Sequence, residues 1–293
     1  MIQAAMIIHT RTRSCDFPSP LAVYPSALSS GEAEQVRKQI LAATRSIDTM
    51  RQDDVRYMVY TCGNYVVAGM VSFLKNLAEN SADDEKFFAD DKGRSIYAFV
   101  GFTFRKGHSI TPRIDKKVLW DNFKSYMEPV WDRTVLETRT SSLVAMDFPE
   151  AGMKEPVGAE SVAGQTLSIM SADDADVFSH WLGQALRGKM VSFCSNIADV
   201  RVAKEKAFRI ITTTTNIITR MKEEAVAPTR HTTGAAHSNV AGSASAGVQQ
   251  KKNVVRNRNG SDGKTFRGNS NNGCILTGTV ILSMLIAMIF LLR

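Results

Sequence analysis

The chain has 293 residues, 44% of them hydrophobic, and carries 36 Lys and Arg against 29 Asp and Glu, a formal net charge of +7. The excess is local: residues 228–272 hold Arg230, Lys251, Lys252, Arg256, Arg258, Lys264 and Arg267 against Asp262 alone, and Arg293 supplies the rest, so residues 1–227 are neutral and a basic nucleic-acid-binding face is not expected. Cys15, Cys62, Cys194 and Cys274 stand far apart with no CxxC pair, which excludes a cysteine zinc site and a secreted disulfide scaffold.

From the start, MIQAAMIIHTRTR has neither a basic region ahead of its apolar run nor a core long enough for a signal peptide. AAMIIHTRT reads as a strand, and PLAVYPS as a second after the loop SCDFPSP. Ser29 or Ser30 caps a helix over GEAEQVRKQILAATRSI, with Glu32 and Glu34 in the first turn, where the helix dipole favours anions. Val36, Ile40 and Ala43 fall on one face of it. VRYMVYTCGNYVVAGMVSFL reads as two strands about a Cys62-Gly63-Asn64 turn, since Gly and Asn tolerate positive φ. After the acidic loop NSADDEKFFADDKG, RSIYAFVGFTF is a further strand, its aromatics suited to a pleated surface. DKKVLWDNFKSYMEPVWDR then places Val118, Leu119, Phe123, Tyr126 and Met127 on a helical stripe that Pro129 kinks or ends.

In the second half GQTLSIMS reads as a strand, ADDADVFSHWLGQALRG as a capped helix and KMVSFCSNI as a strand. The pairs SSGEAE/ADDAD and MVYTCGN/MVSFCSN echo each other, as a duplication or chance would make them. Over VAKEKAFRIITTTTNIITRMKEE, Ala203, Ala207, Ile210, Thr214, Ile217 and Met221 fit one helical face, whereas four consecutive threonines favour a strand. Residues 228–272, rich in Ser, Gly, Asn and Thr, read as a disordered basic linker that attracts anionic headgroups. Cys274 to Leu292 are 19 residues without a charge, enough for a membrane span, and the basic flank orients the body to the cytosol. Cys274 at the boundary is a candidate for S-acylation, and Thr279, Ser283 and Ala287 form a small-residue stripe along which two spans can associate.

Chemical motifs are few. GQALRGK, Gly183 to Lys189, satisfies GxxxxGK, but Met190 replaces the magnesium-holding hydroxyl residue and the helix precedes the loop, where a phosphate loop needs it to follow. His9, His108, His180, His231 and His237 include no pair at ligand spacing, and neither HExxH nor GxSxG occurs. The acids at Asp90-Asp91 and at Asp173, Asp174 and Asp176 lack calcium-loop spacing. Cys62 would need a basic partner to act as a nucleophile, as would Cys194. No catalytic residue, metal or cofactor is expected, and the chain is not expected to be an enzyme.

Over residues 4–131 the order strand, strand, helix, three strands, helix, with QILAATRSI in the first helix, VYTCGNYVVAGMV around a GNY-like turn, and RSIYAFVGFTF leading to the last helix, resembles a longin domain. Such domains are the N-terminal modules of tail-anchored R-SNARE proteins of vesicle traffic. The resemblance implies an α+β, longin/profilin-like mixed sheet with flanking helices. It also implies a groove between first helix and third strand, here Val36, Ile40 and Ala43 with Tyr57 and Val59, that accepts a helix from the protein itself or from trafficking machinery. No heptad run precedes the apolar carboxyl-terminal segment, so the implied role is adaptor or regulator and not fusogen. The expected organisation is a longin-like domain over 1–135, a second α+β or helical segment over 136–227, the linker over 228–272 and a C-terminal transmembrane helix over 273–293. The expected function is a tail-anchored, cytosol-facing adaptor or regulator of membrane trafficking at an endomembrane, with SNARE-type proteins and membrane lipids as partners. The alternative is a membrane-tethered sensor or effector binding a small ligand in a pocket of the second half.

Overall fold

The computed structural model describes residues 1–16, 21–170 and 174–226. Five strands, β1 (Ile2–Thr10), β2 (Val23–Pro25), β3 (Arg56–Cys62), β4 (Tyr65–Phe73) and β5 (Tyr97–Arg105), pair antiparallel in the order β2-β1-β5-β4-β3. Gly63, at φ +52°, makes the tight β3–β4 turn in a left-handed conformation that costs glycine nothing. Helix α1 (Ser30–Ala43) begins at Ser29, whose hydroxyl accepts from the Glu32 N–H while the Glu32 carboxylate accepts from the Ser29 N–H, a complete capping box. A short helix α2 (Leu74–Leu77) follows β4, and α3 (Lys116–Met127) starts at an Asp115 cap.

Strand alternation divides the side chains between two cores. Val66, Ala68 and Met70 of β4 join Phe102 and Phe104 of β5 on one face, covered by Leu119, Phe123 and Met127 of α3. Val67, Val71 and Phe99 point the other way and are covered by Val36 and Ile40 of α1. On the α3 side, Phe87, Trp120, Phe123 and Trp131 form an aromatic cluster, with the Trp120 indole donating to Asp84 at 2.8 Å.

The remaining elements are β6 (Arg139–Ser141), β7 (Val144–Met146), β8 (Glu160–Val162), β9 (Gln165–Ile169), α4 (Asp174–Leu186), β10 (Ser192–Ile197), α5 (Val200–Lys204), β11 (Ile210–Thr213) and α6 (Thr215–Val226). β6 lies parallel to β2, and β7 pairs with the start of β1. β9, β11 and β10 are mutually parallel, and β10 joins antiparallel to β3 through Ser192↔Tyr60, Phe193↔Val59 and Cys194↔Met58. Among the described residues the result is one eleven-stranded sheet, β6-β2-β1-β5-β4-β3-β10-β11-β9-β8 with β7 on β1, and these residues fall in a single compact unit. α4 joins the α3 face; α5 and α6 join the α1 face.

This corrects the expected fold class. The strands of the expected second α+β segment, 136–227, do not stand beside a self-contained longin-like sheet but join it: β6 and β7 pair with β2 and β1, and β10, β11, β9 and β8 extend the sheet past β3, because β3 offers an open ladder edge and β10 takes it. Nor is a transmembrane helix part of the described fold: among the described residues no helix is long and apolar enough to cross a membrane. Residues 273–293, where one was expected, lie outside the described residues, as does the linker 228–272. What stands is an α+β fold around one large mixed sheet. The threonine run divides between the two readings given to it: Thr212 and Thr213 close β11, and α6 starts at Thr215.

Candidate functional site

The groove expected between α1 and β3 is closed. Val36, Ile40 and Ala43 are fully buried beneath α1, with Met58 and Cys62 of β3 on the same side of the sheet. Tyr57 and Val59 alternate to the opposite face. There Val59 is fully buried and the Tyr57 ring stacks on Phe178 of α4 at 4.9 Å between centroids. The five residues therefore share no surface, and β10 occupies the strand edge between them and solvent. Cys274, Thr279, Ser283 and Ala287 lie outside the described residues.

The thiols are no better placed for chemistry. Cys194 is fully buried, and burial pushes its pKa up to about 12 despite the opposing Arg56 cation. Burial, followed by the Glu32 carboxylate, also raises Cys62. Both are held as thiols, the unreactive form. Within GQALRGK, Gly183 is inside α4, so the motif ends a helix and cradles nothing. Among the described residues no group of three His, Cys, Asp or Glu side chains is placed to hold a metal.

Where three parallel strands end side by side, the fold makes a crevice. In parallel sheets such carboxyl ends are the usual place for ligands, because crossover connections on opposite faces leave a gap between them. Here β9 leads into α4 on one face, and β10 leads into α5 on the other. The resulting cavity of about 370 Å³ is bounded by residues 154–158, by Ser168 and Ile169 of β9, by Thr212 of β11 and by Val177 of α4. That volume is in the range of small-molecule sites.

The floor of this crevice is polar and ordered. Ser168 and Thr212 are register partners on neighbouring strands and 2% and 1% exposed. The Thr212 hydroxyl accepts from the Asn196 N–H at 3.0 Å and donates to the Asp174 carboxylate at 3.1 Å. Asn196 holds a left-handed backbone, φ +54°, which bends the end of β10, and its side-chain amide donates to the Val55 carbonyl at 3.3 Å. Above this floor the walls are mostly apolar, with Val157 and Ile169 79% and 54% exposed and Lys154 and Glu155 also in the lining. Asp174 and Asp176 fill the first turn of α4, so its positive end is already matched by carboxylates. On the other side of that turn burial, then these two carboxylates, raise the Tyr57 pKa and keep its phenol neutral.

A larger cavity, about 480 Å³, lies between α3 and α4 over Tyr57 and Met70. Its cations are already engaged: Lys116 donates to Asn76 at 2.7 Å, Lys117 to Asp121 at 2.6 Å and Arg113 to Asp115 at 3.4 Å. The crevice at the strand ends has the more apolar lining and is the better candidate. None of its residues was singled out for binding from sequence; the signal available was the hydroxyl-rich end of IITTTTN. Compared with protein-family models, with curated proteins and with solved structures, the chain matches none.

Proposed function

We propose that this chain is a ligand-binding module, taking a small and mostly apolar molecule with one or two hydrogen-bonding groups into the crevice at the carboxyl ends of β9 and β11. The observation that carries this reading is the pairing of an apolar mouth, Val157, Ile169 and Val177, with a buried hydroxyl floor, Ser168 and Thr212. Apolar walls supply affinity through area removed from water, and few convergent polar groups supply orientation. A neutral or cationic ligand suits the site better than an anion, since Asp174 and Asp176 already occupy the electropositive end of α4.

Membrane association rests on sequence alone, on the 19 uncharged residues from Cys274 to Leu292. It predicts carbonate-resistant pelleting with residues 1–226 open to protease on the cytosolic side. The five residues expected to receive SNARE-type partners do not come together on one surface at α1 and β3, where β10 pairs with β3 and Phe178 of α4 stacks on Tyr57. The discriminating experiment is a thermal-shift screen of small apolar amines, alcohols and amides against the full chain. Stabilisation that Ile169→Arg abolishes supports the ligand reading; a set of hits indifferent to that substitution removes it.

A further inference from the structure

At the opposite end of β10 and β11 the surface has a different chemistry. A pocket of about 300 Å³ opens there between β3, α1 and the α5–β11 turn, with Gln39, Tyr60, Ser192, Lys206 and Arg209 in its lining. Among the described residues two cations line it and no carboxylate does. The neighbouring acids are committed elsewhere: Glu205 pairs with Arg45, and Glu224 with Lys204 at 2.6 Å. Arg209 makes no side-chain hydrogen bond or ion pair among the described residues, although its backbone N–H is fixed to the Ser192 carbonyl at 3.0 Å. Lys206 sits at φ +54°, a left-handed backbone position. Its ammonium gives one hydrogen bond, at 2.8 Å, to the Ala163 carbonyl and has two further protons to donate. The Tyr60 phenol, whose pKa is raised by burial and then by Cys62, is a neutral donor at the same mouth.

We propose that this pocket binds a phosphate monoester, the Arg209 fork and the Lys206 ammonium neutralising its charge and Tyr60 donating to a third oxygen. A concave site lined by one sign of charge concentrates counter-ions, and guanidinium matches phosphate in two parallel hydrogen bonds. The monoester can be a soluble one or the headgroup of a phosphorylated lipid, and this site is independent of the crevice at the other strand ends.

The experiment is isothermal titration of inorganic phosphate into the full chain held in phosphatidylcholine nanodiscs. Saturable binding is expected, with a loss of about tenfold or more for the Lys206→Gln/Arg209→Gln double variant, as the removal of two charge-assisted contacts implies. Tyr60→Phe should lose less. Lys75→Gln, exposed just beyond the far end of β4, should change nothing. The same titration in nanodiscs doped with phosphatidylinositol 4-phosphate distinguishes the sources: weakened phosphate binding assigns the site to the headgroup, and unchanged binding assigns it to a soluble ester. No saturable phosphate binding in plain nanodiscs, equal binding by the double variant, or an equal loss in Lys75→Gln would overturn the proposal.

Discussion

The guanidinium of Arg56 on β3 donates to the carbonyl oxygen of Asn196 on β10 at 3.3 Å, where Arg56 is only 1% exposed. The same side chain donates to the Arg45 carbonyl at 2.9 Å and to the carbonyl of Ala43, the last residue of α1. α1 has no basic residue in its own last turn, so a strand supplies the cation that its C-terminal carbonyls require. Burial lowers the Arg56 pKa, while Cys194, Asp199 and Asp54 act in the other direction. Arg56→Met leaves three carbonyls without their donor, and a loss of about 3 kcal/mol is expected. The measurement is a lower urea midpoint at unchanged slope.

A second prediction concerns the centre of the sheet. Gly69 of β4 and Gly101 of β5 are register partners, and a Cβ on Gly69 would lie 2.3 Å from the Val100 oxygen and 2.5 Å from the Gly101 Cα. These are backbone atoms of a central strand, with no side-chain rotamer to absorb the clash. Gly69→Ala is expected to cost about 3 kcal/mol, and the melting temperature should fall accordingly. Gly93→Ala is the companion measurement: nothing lies within 4 Å of its Cβ, so only the strain of φ +73° acts.

Local signals were legible where one short stretch carries the whole instruction. Ser29 with Glu32 marks the start of α1, and Cys62-Gly63-Asn64 marks the β3–β4 turn. Strands β6, β7 and β8 were not legible: three residues are too few for an alternation to register, and none is bracketed by prolines as β2 is in PLAVYPS. The pairing of β3 with β10 joins residues more than 130 apart and depends on which edge is left open, a tertiary choice that no window of sequence contains. That pairing occupies the β3 edge, while α1 packs Val36, Ile40 and Ala43 against the sheet. The crevice is hidden for the same reason: residues 154–158, 168, 169, 177 and 212 meet only after the crossovers are made.

Acid sensitivity is predicted at His9. Burial first, and the Arg37 guanidinium second, lower its pKa from 6.5 to about 4. The folded chain holds this imidazole neutral while the unfolded chain takes up a proton near 6.5, so stability is full above that value and is lost as pH falls toward 4. The expected loss between pH of about 7 and about 4.5 is on the order of 2–3 kcal/mol. His9→Gln should flatten this dependence in urea titrations at the two pH values. Asp199 acts in a different window: the Arg201 side chain, aided by its N–H and by Ser46, holds this carboxyl well below the usual range. Its contribution is present above about pH 3.9 and is lost only below it.

Thr212 links three elements through one hydroxyl, so Thr212→Val strands the buried Asn196 N–H and takes a donor from Asp174. A loss of about 2 kcal/mol is expected. Ile169→Arg, at an exposed position, should leave the melting temperature unchanged. Comparing the two separates damage to the floor from obstruction of the mouth.

The ligand-binding reading is tested most directly by methyl chemical-shift mapping of the full chain with small apolar amines and alcohols. The account predicts ligands that move the methyls of Val157, Ile169, Val177 and Thr212 together, saturate, and lose their effect in Ile169→Arg. Ligands that leave those four methyls unmoved while shifting others, or that bind Ile169→Arg as well as the original chain, would contradict it.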